Sequence, residues 1–471
     1  MAIQFYLNGE LRREETVPPT TTVLDYLRNH AGLIGAKEGC AEGDCGACSI
    51  VLVRHDENGK PVYEAVNSCL LMLPQMDGRT IVTVEGVQGD DGVLDPVQVA
   101  MAQGDGTQCG FCTPGFIMAL YALRHGDEEI TDGVIHDALA GNLCRCTGYR
   151  PIVDAARKAC GVAGDERHGA VTDISASSLY QSSGQSFFAP DSLADLAESH
   201  ADHPDAYLLA GGTDLGILVS KDRRPLETII STMCVPELNR ITETDGMIEF
   251  GAAVTYNRAL PFIESLYPSL AALITRIGSR QIRNAGTLGG NVGNASPIGD
   301  TPPCLIALDA TLVLHSISGE RELPVEEFFL DYRKTDLGPG EFIKAIQIPK
   351  LDDGRHFRAY KISKRHDQDI SSVIGAYRIT LRGDKIVDAR IGFGGMAATP
   401  KRAPAAEAAL NGRPWSEQSL SAASSAVTRD FQPIDDHRAS KDYRLRVAGN
   451  LFERLFRDIS GGDDPLEVVA L

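Results

Sequence analysis

The sequence contains no run of 18 consecutive apolar residues, so it predicts no membrane-spanning helix. The start of the chain also lacks a basic segment followed by an apolar stretch, and Arg12-Arg13 precedes two glutamates, so neither a secretory nor a twin-arginine signal is expected. Positive charge is scarce: 45 Lys and Arg residues stand against 64 Asp and Glu, a formal net charge of −19. This balance argues against nucleic acid and anionic membranes as partners. We expect a cytoplasmic protein.

The length and the cysteine content are the next constraints. A chain of 471 residues with 43% hydrophobic and 23% charged residues predicts about three or four globular domains. Without an export signal, its 11 cysteines indicate metal ligation rather than disulfides. Eight of them fall into two groups, and we expect Cys160, Cys234 and Cys304 to be free thiols packed as small hydrophobic residues.

The first group has the spacing C-x4-C-x2-C followed by a distant fourth cysteine, which is typical of a plant-type [2Fe–2S] loop. Its members are Cys40, Cys45, Cys48 and Cys69. Small residues lie beside and between them and allow backbone amides to approach cluster sulfurs: Gly39, Ala41, Gly43, Gly46 and Ala47. The alternative is zinc, which favours paired C-x2-C knuckles. The asymmetric spacing favours iron–sulfur.

The second group combines C-x2-C with a later C-x-C, and its members are Cys109, Cys112, Cys144 and Cys146. Thr113 as N-cap with Pro114 predicts a helix over Gly115–Arg124, and Pro151 predicts another that runs through Cys160. Both cysteine pairs would then lie just before helix N-termini, where free amides and the positive dipole end face the thiolates. Arg145 adds a positive charge. Zinc remains an alternative for this group alone, but beside a first cluster a second cluster is favoured.

The pattern along the chain predicts an α+β multidomain fold. Residues 1–85 form a small α+β domain with a hairpin around Asn8-Gly9, and residues 86–165 form a helical domain. The predicted elements of these two domains are the strands Ile3–Leu7, Leu11–Thr16, Ile50–Val53 and Ile81–Val84 and the helices Val23–His30, Pro96–Gln103, Gly115–Arg124, Thr131–Leu139 and Pro151–Cys160.

A stretch rich in Gly, Ser, Ala and Asp, Gly161–Ser186, predicts an interdomain linker that we place at residues 166–186. Residues 187–350 then form an α/β domain, and residues 351–471 a C-terminal α+β domain. The predicted elements of the last domain are the strands Ala376–Leu381 and Ala389–Gly394 and the helices Pro404–Leu410 and Tyr443–Arg457.

Two glycine-rich loops in the α/β region indicate a nucleotide ligand. Leu208–Leu215 is an apolar strand that runs into a small-residue turn, and Asn284–Asp300 is a longer loop rich in Gly and Asn. Such loops let backbone amides approach a diphosphate closely. Neither contains the G-x-G-x-x-G fingerprint, so a Rossmann domain is not favoured. A pair of tight turns is the structural alternative.

Three strings of residues resemble the molybdenum hydroxylase family. Lys37–Cys48 is similar to its ferredoxin-type motif, and Gln108–Gly115 with Gly141–Pro151 is similar to its helical second-cluster motif. The two glycine-rich loops resemble its FAD domain, which is related to the vanillyl-alcohol-oxidase type of flavoprotein. The resemblance covers roughly residues 3–160 and 187–456. It implies a ferredoxin-like β-grasp domain, a four-helix second-cluster domain, a vanillyl-alcohol-oxidase-type FAD-binding α/β domain and a C-terminal α+β flavoprotein domain.

The resemblance also implies the cofactors and their residues. The second cluster would lie nearer a molybdopterin centre and the first nearer the flavin. The implied FAD contacts are Leu208, Leu209, Ala210, Gly211, Gly212, Thr213, Asp214, Leu215, Ile277, Gly286, Thr287, Gly290, Asn291, Gly293, Asn294, Ser296, Asp300, Phe342, Ile343 and Lys361. Phe328–Thr335 resembles a loop where NAD docks, and Lys364–His366 resembles a basic stretch that influences the choice between NAD and oxygen. A solvated loop is the alternative for Lys364–His366.

The order of the domains resembles the first half of xanthine dehydrogenases, and no molybdenum-binding domain follows. The resemblance therefore implies a small iron–sulfur and FAD subunit of the split, bacterial type. A large molybdopterin subunit would oxidise hypoxanthine and xanthine to urate, in a heterotetramer of two small and two large chains. Electrons would pass through the clusters to FAD and then NAD+, with no catalytic residue in this chain. The alternatives are a related hydroxylase of aldehydes, quinoline or other N-heterocycles, a non-catalytic ferredoxin–flavoprotein carrier, and a zinc-stabilised scaffold.

Overall fold

The computed structural model describes residues 2–56, 58–89, 92–162, 164, 167–170, 174 and 176–461. The predicted domain boundary at 165, part of the predicted linker and the C-terminal residues 462–471 lie outside this set. The chain divides into two compact units. The first contains Met1–Pro236, Thr255–Asn257 and Gly278–Gly286, and the second contains Glu237–Val254, Arg258–Ile277 and Thr287–Leu471. Among the described helices, none is both long and apolar enough to cross a membrane.

The first unit begins with a five-stranded mixed sheet. Its strands in spatial order are Glu10–Glu14, Ile3–Leu7, Thr80–Val82, Ser49–His55 and Pro61–Asn67. The predicted hairpin is confirmed: Asn8 and Gly9 have φ of 54° and 87°, as a two-residue turn between strands requires. Helix Val23–Asn29 follows, with Thr22 capping the amide of Asp25. The strand Pro61–Asn67 was not predicted, and the strand predicted at Ile81–Val84 ends at Val82.

Four helices follow in the first unit: Pro96–Gln103, Thr113–Arg124, Asp132–Leu139 and Arg150–Cys160. The predicted N-cap at Thr113 is wrong, since Thr113 is the first helical residue and Cys112 holds the cap position without a side-chain hydrogen bond. The helix predicted from Pro151 is confirmed and begins one residue earlier, at Arg150, so Cys144 and Cys146 lie shortly before it as predicted. Tyr149, with φ of 70°, caps that helix, so a short loop separates Cys146 from its first turn.

A four-stranded sheet completes the first unit, with the order Leu179–Ser182, Gln185–Phe188, Thr228–Ser231 and Tyr207–Leu209. Helices Leu193–Asp202 and Leu215–Ser220 belong to this part of the chain, and helix Arg280–Ala285 packs against strand Pro61–Asn67 of the first sheet. The end of the predicted linker is therefore part of the four-stranded sheet rather than an unstructured connection. Tyr180 in its first strand is buried, and its hydroxyl donates to the carbonyl of Val17 at 2.5 Å. The strand was missed because it is short and its neighbours are Ser and Gly.

The second unit begins with a five-stranded antiparallel sheet, in the order Ile241–Glu243, Met247–Gly251, Phe342–Pro349, Thr311–Ser316 and Gly319–Pro324. Its helices are Tyr256–Leu266 (whose first two residues belong to the first unit), Pro268–Ile274, Leu288–Gly293, Thr301–Ala307 and Val325–Phe328. Two short strands, Phe329–Asp331 and Lys334–Thr335, pair with each other.

The C-terminal part of the second unit packs a four-stranded antiparallel sheet against three helices. The strands in order are Arg355–Ile362, Val373–Arg382, Lys385–Gly394 and Lys401–Arg402, and the helices are Pro404–Leu410, Glu417–Asp430 and Lys441–Ser460. Apolar residues of both layers form one buried core. Both predicted strands and both predicted helices of this region are confirmed, three of them as parts of longer elements. The helix Glu417–Asp430 was not predicted.

Candidate functional site

The first cysteine loop comprises Gly39–Cys48 together with the segment around Cys69. Several of its backbone amides point at one sulfur atom. Cys40 Sγ accepts from the amides of Glu42, Asp44 and Cys45 at 3.4, 3.3 and 3.3 Å. The loop turns inward because Ala41, Gly43 and Gly46 adopt φ of 55°, 80° and 67°. A Cβ at Gly39 would lie 2.7 Å from Cys45 Sγ, so glycine leaves room for the sulfur there. The loop is built to hold negative charge on sulfur.

The four thiols of this loop fall into two pairs. The hydrogen bond with Cys45 lowers the pKa of Cys40 to about 5, against the opposing effect of burial, and the same bond raises the pKa of Cys45. The bond with Cys69 likewise lowers the pKa of Cys48 and raises that of Cys69. The negative charge of Cys40 also acts on the second pair, since it favours a higher pKa for both Cys48 and Cys69. A cluster of two irons with four cysteine ligands takes two thiolates at each iron, and this arrangement supplies them.

The second group shows the same pairing nearer the surface. The amide of Phe111 and the thiol of Cys146 lower the pKa of Cys109, and both of these cysteines are exposed. Burial and a bond with Cys144 raise the pKa of Cys112 to about 12. Burial opposes ionisation of Cys144 as well, yet the hydroxyl and amide of Thr147 near its sulfur leave the pKa of Cys144 lowered. Two pairs of thiols again fit a two-iron cluster.

All eleven cysteines lie in the described part of the chain, and none forms a disulfide. Among the described residues, no set of three or more His, Cys, Asp and Glu side chains is arranged as the ligands of one metal ion. Cys160 and Cys304 are buried, which confirms the prediction that they pack as small hydrophobic residues, whereas Cys234 is exposed and contradicts it.

The two cysteine loops are in direct contact. The amide of Leu143, next to Cys144, donates to the carbonyl oxygen of Cys45 at 3.0 Å. The side chain of Asn142 donates to the carbonyl of Gly46 at 3.0 Å. A Cβ at Gly46 would overlap the carbonyl oxygen of Gly141, so the approach depends on glycine. One hydrogen bond thus joins Cys45, a member of the first group, to Leu143, the residue next to Cys144 of the second group.

The predicted flavin contacts of the first unit are Leu208–Leu215 and Gly286. The turn after strand Tyr207–Leu209 is tight, with Gly212 at φ of 78°. A Cβ at Gly211 would overlap the carbonyl oxygen of Ala285, and a Cβ at Gly286 would lie 3.4 Å from Thr213 Oγ1, so the structure brings this set together. A turn of this kind admits close approach of a diphosphate, and its residues fit FAD in this respect.

This turn also packs against the first cysteine loop. Leu70 directly follows Cys69, and a Cβ at Gly212 would lie 3.3 Å from its carbonyl oxygen. A Cβ at Gly216 would overlap the same oxygen. The Gln75 side chain donates to the carbonyl of Ala210 at 3.4 Å. The predicted flavin turn and the first cysteine loop are therefore neighbours within the first unit.

The remaining predicted flavin contacts lie in the second unit: Ile277, Thr287, Gly290, Asn291, Gly293, Asn294, Ser296, Asp300, Phe342, Ile343 and Lys361. Thr287 caps helix Leu288–Gly293 by accepting from the amide of Gly290 at 2.9 Å. A Cβ at Gly293 would lie 3.6 Å from the end of Ile343. Lys361 donates to Asp300 at 2.6 Å. It also donates to the carbonyl of Arg276, the neighbour of Ile277, at 3.0 Å. The structure thus brings several of these residues together within this unit.

The two segments assigned to the electron acceptor lie at the surface of the second unit. In Phe328–Thr335, which spans the two short paired strands, Leu330 and Tyr332 are exposed. In Lys364–His366, the Lys364 side chain donates to the carbonyl of His437 at 2.9 Å, and the amides of Lys364 and Arg365 donate to Asp369. The basic stretch is thus held in shape by a neighbouring carboxylate.

Sequence reasoning missed a set of polar residues on helix Arg280–Ala285. Gln281 donates to Asn142 Oδ1 at 2.8 Å, and Asn284 donates to the carbonyl of Ala65 at 2.8 Å. Arg280 and Arg283 both pair with Asp137. The polar run just before a glycine-rich loop was visible in the sequence, but no spacing indicates partners so distant along the chain.

Models of four domain families match the chain. A 2Fe-2S iron-sulfur cluster binding domain matches residues 5–73, and a [2Fe-2S] binding domain matches residues 83–157. An FAD binding domain in molybdopterin dehydrogenase matches residues 181–351, and a CO dehydrogenase flavoprotein C-terminal domain matches residues 358–459. These matches confirm the predicted α+β multidomain class and the order of its iron–sulfur, FAD-binding and C-terminal flavoprotein domains.

Individual proteins are similar over long stretches. Xanthine dehydrogenase from Emericella nidulans is 32% identical over 97% of this chain and 38% of its own length. Xanthine dehydrogenase 1 from Arabidopsis thaliana is 32% identical over 97% of this chain and 39% of its own length. This chain therefore spans less than half the length of those relatives.

Solved structures match a little over half of the chain. A carbon monoxide dehydrogenase chain from Hydrogenophaga pseudoflava is 30% identical, with a TM-score of 0.55 over 57% of this chain and 94% of that one. A chain of quinoline 2-oxidoreductase from Pseudomonas putida 86 is 28% identical, with a TM-score of 0.54 over 58% of this chain and 95% of that one.

Proposed function

Because this chain belongs to the molybdenum hydroxylase family, as the part that carries its iron–sulfur and FAD domains, we propose that it conducts electrons from a molybdopterin centre on a large partner polypeptide to FAD. Cys109, Cys112, Cys144 and Cys146 would hold the cluster on the side of the partner, and Cys40, Cys45, Cys48 and Cys69 the cluster on the side of the flavin. When bound, the clusters supply one-electron carriers, and FAD supplies the exchange between one- and two-electron chemistry.

One observation carries this order: the second cysteine loop, the first cysteine loop and the flavin turn are consecutive neighbours in the first unit. Leu143 beside Cys144 donates to the carbonyl of Cys45, and Leu70 beside Cys69 packs against Gly212. The first cysteine loop is therefore in contact with both of the others. The role of the protein in such a relay is to fix the positions and the electrostatic surroundings of its carriers.

The exposure of the cysteines supports electron entry at the second group. Cys109 and Cys146 are exposed, whereas Cys48 and Cys69 are buried. Apolar side chains that are exposed beside the second group, Phe111, Leu143 and Tyr149, offer a surface suited to a protein partner. Backbone amides and hydroxyl groups around the sulfurs stabilise negative charge on both sets of thiolates.

The proposed substrate rests on the relatives. The similarity to xanthine dehydrogenases supports oxidation of xanthine by the partner. Hypoxanthine as a further substrate, NAD+ as the final acceptor near Phe328–Thr335, and a heterotetramer of two small and two large chains complete the proposal. The likeness to chains of carbon monoxide dehydrogenase and quinoline 2-oxidoreductase favours a second candidate, a related hydroxylase with another substrate such as an N-heterocycle.

The test is a set of measurements on the chain purified with its partner. Iron and flavin assays should give about four irons and one FAD per chain, and low-temperature electron paramagnetic resonance after dithionite reduction should give two distinct [2Fe–2S] signals. A single signal, or zinc in place of two irons, would contradict the relay. Reduction of NAD+ by xanthine, compared with quinoline and an aldehyde, decides between the two candidates.

A further inference from the structure

We propose that Gln281 is a positioning residue for electron transfer between the two clusters, acting through Asn142 on the contact between the cysteine loops. This inference rests on the proposed function, because it concerns how the relay is held together. Gln281 lies on helix Arg280–Ala285, directly before the second glycine-rich loop. It is far along the chain from both cysteine groups, yet it belongs to the same compact unit.

The contact that Gln281 supports is a short path between cluster ligands. From Cys45 the path runs through its own carbonyl group, across the 3.0 Å hydrogen bond to the amide of Leu143, and along one peptide unit to Cys144. One electron leaves the second cluster and one enters the first, so the step needs no further oxidant or reductant. The rate of this step depends on how the two loops are held.

Asn142 fixes the two loops against each other. Its Nδ2 donates to the carbonyl of Gly46 at 3.0 Å and lies 3.4 Å from Ser49 Oγ. Asn142 directly precedes Leu143, and Gly46 directly follows Cys45. The hydrogen bond from Asn142 to Gly46 therefore lies beside the hydrogen bond from Leu143 to Cys45. Asn142 and Ser49 are both buried, with 2% and 1% of their surface exposed. In this environment the amide must keep its partners or carry a desolvation cost.

Gln281 determines which way the amide of Asn142 faces. Gln281 Nε2 donates to Asn142 Oδ1 at 2.8 Å, and therefore the donor end of Asn142 points at Gly46. Gln281 is 1% exposed, and its own oxygen has no hydrogen-bond partner among the residues that the structure describes. A Cβ at Gly141 would overlap that oxygen, so the fit is close on this side too. A buried amide with one unsatisfied oxygen is retained at a cost, which points to a role beyond packing.

The test uses Gln281→Met and Gln281→Ala in the complete complex with its clusters and flavin. Methionine keeps a similar length and shape but has no hydrogen-bond donor for Asn142 Oδ1, so it releases the orientation of Asn142. We expect about four irons per chain to be retained. We also expect a weaker magnetic interaction between the two reduced clusters in the electron paramagnetic resonance spectrum. Electron exchange between the clusters, followed after flash photoreduction, should be about tenfold slower, as for loss of an outer-shell partner of a metal site.

Arg280→Ala is the matched control, since it removes ion pairs of the same helix with Glu128 and Asp137 but leaves Asn142 untouched. In Arg280→Ala, the magnetic interaction between the two clusters and the rate of electron exchange between them should equal those of the wild type. The inference is overturned if Gln281→Met retains four irons with the wild-type coupling and rate. It is also overturned if both Gln281 variants lose iron, because the residue would then act in assembly. A wild-type complex without two [2Fe–2S] signals would instead overturn the proposed function itself.

Discussion

Lys361 and Asp300 form a buried ion pair in the second unit, with Lys361 Nζ 2.6 Å from Asp300 Oδ2 and side chains that are only 2% and 9% exposed. Ser371 Oγ donates to the other carboxylate oxygen at 2.7 Å, and Lys361 also donates to the carbonyl of Arg276. Both charges are therefore compensated by the protein. The pair joins strand Arg355–Ile362 to the start of helix Thr301–Ala307, so its first role is to hold the second unit together.

Lys361→Met should destabilise the second unit by about 3 kcal/mol, because it leaves the Asp300 carboxylate buried without a cation. For a unit of this size the unfolding midpoint should fall by about 6–12 °C, measured by calorimetry. The double variant Lys361→Met/Asp300→Asn should recover most of the loss. Equal midpoints for the single and double variants would contradict the ion-pair account.

Gly46→Ala should prevent assembly of the first cluster. The new methyl group would overlap the carbonyl of Gly141, and φ of 67° already disfavours a side chain. Gly59→Ala is the matched control, since Gly59 has φ of 77° but nothing within 4 Å of its Cβ position. The control should cost only the strain of a side chain at positive φ, about 1–2 kcal/mol, and keep its iron. Iron per chain is the measurement, and full iron content in Gly46→Ala would refute this prediction.

Gly211→Ala should lower the FAD content while both iron–sulfur signals persist. The added methyl group would overlap the carbonyl of Ala285, which forces the turn after strand Tyr207–Leu209 to open. Gly246→Ala, at a glycine with nothing within 4 Å of its Cβ position, should leave both cofactors in place. Flavin released by heat from purified protein, compared with iron, reports the outcome. If Gly211→Ala binds FAD at the wild-type ratio, the turn is not part of the flavin site.

Cys144→Ser should remove one iron–sulfur signal and stop electron flow from substrate to NAD+, whereas transfer from NADH to a dye should persist. The reason is that the second cluster lies before the first in the proposed relay, while dye reduction needs only the flavin. Cys234→Ser alters an exposed cysteine outside both groups and should change neither activity. Loss of dye reduction in Cys144→Ser with the fold intact would show that the order of carriers is wrong.

The stability of the second unit should fall as the pH drops below 6.5, in part through His356. Burial, assisted by the charge of Arg358, lowers the pKa of His356 from 6.5. As the pH falls through 6.5 the unfolded chain takes up this proton first, so the folded state loses stability from there down to the lowered pKa. His356→Gln should flatten the fall of the unfolding midpoint between pH 7 and pH 5. An identical pH profile for both proteins would rule out this contribution.

Local patterns in the sequence were sufficient to predict the cysteine groups, the hairpin at Asn8-Gly9 and the helix Pro404–Leu410. The reason is that cysteine spacing, turn residues and a first-turn proline act over a few residues. They were insufficient where a partner is distant along the chain. Strand Leu179–Ser182 follows a stretch without periodicity and is stabilised by pairing and by the bond from Tyr180 to Val17. The contact of Gln281 with Asn142 depends on tertiary packing alone.

The position of helix Arg280–Ala285 also bears on the order in which the protein is made. Gln281 and Asn284 on this helix complete contacts to Asn142 and Ala65. Gln281 and Asn284 leave the ribosome well after both cysteine groups have been synthesised. Domains fold largely as they emerge, N-terminal part first. A nascent chain that ends before residue 280 therefore presents all eight cysteines with the junction between their loops unfinished. Iron delivered at that stage meets a looser pair of loops than iron delivered to the completed polypeptide.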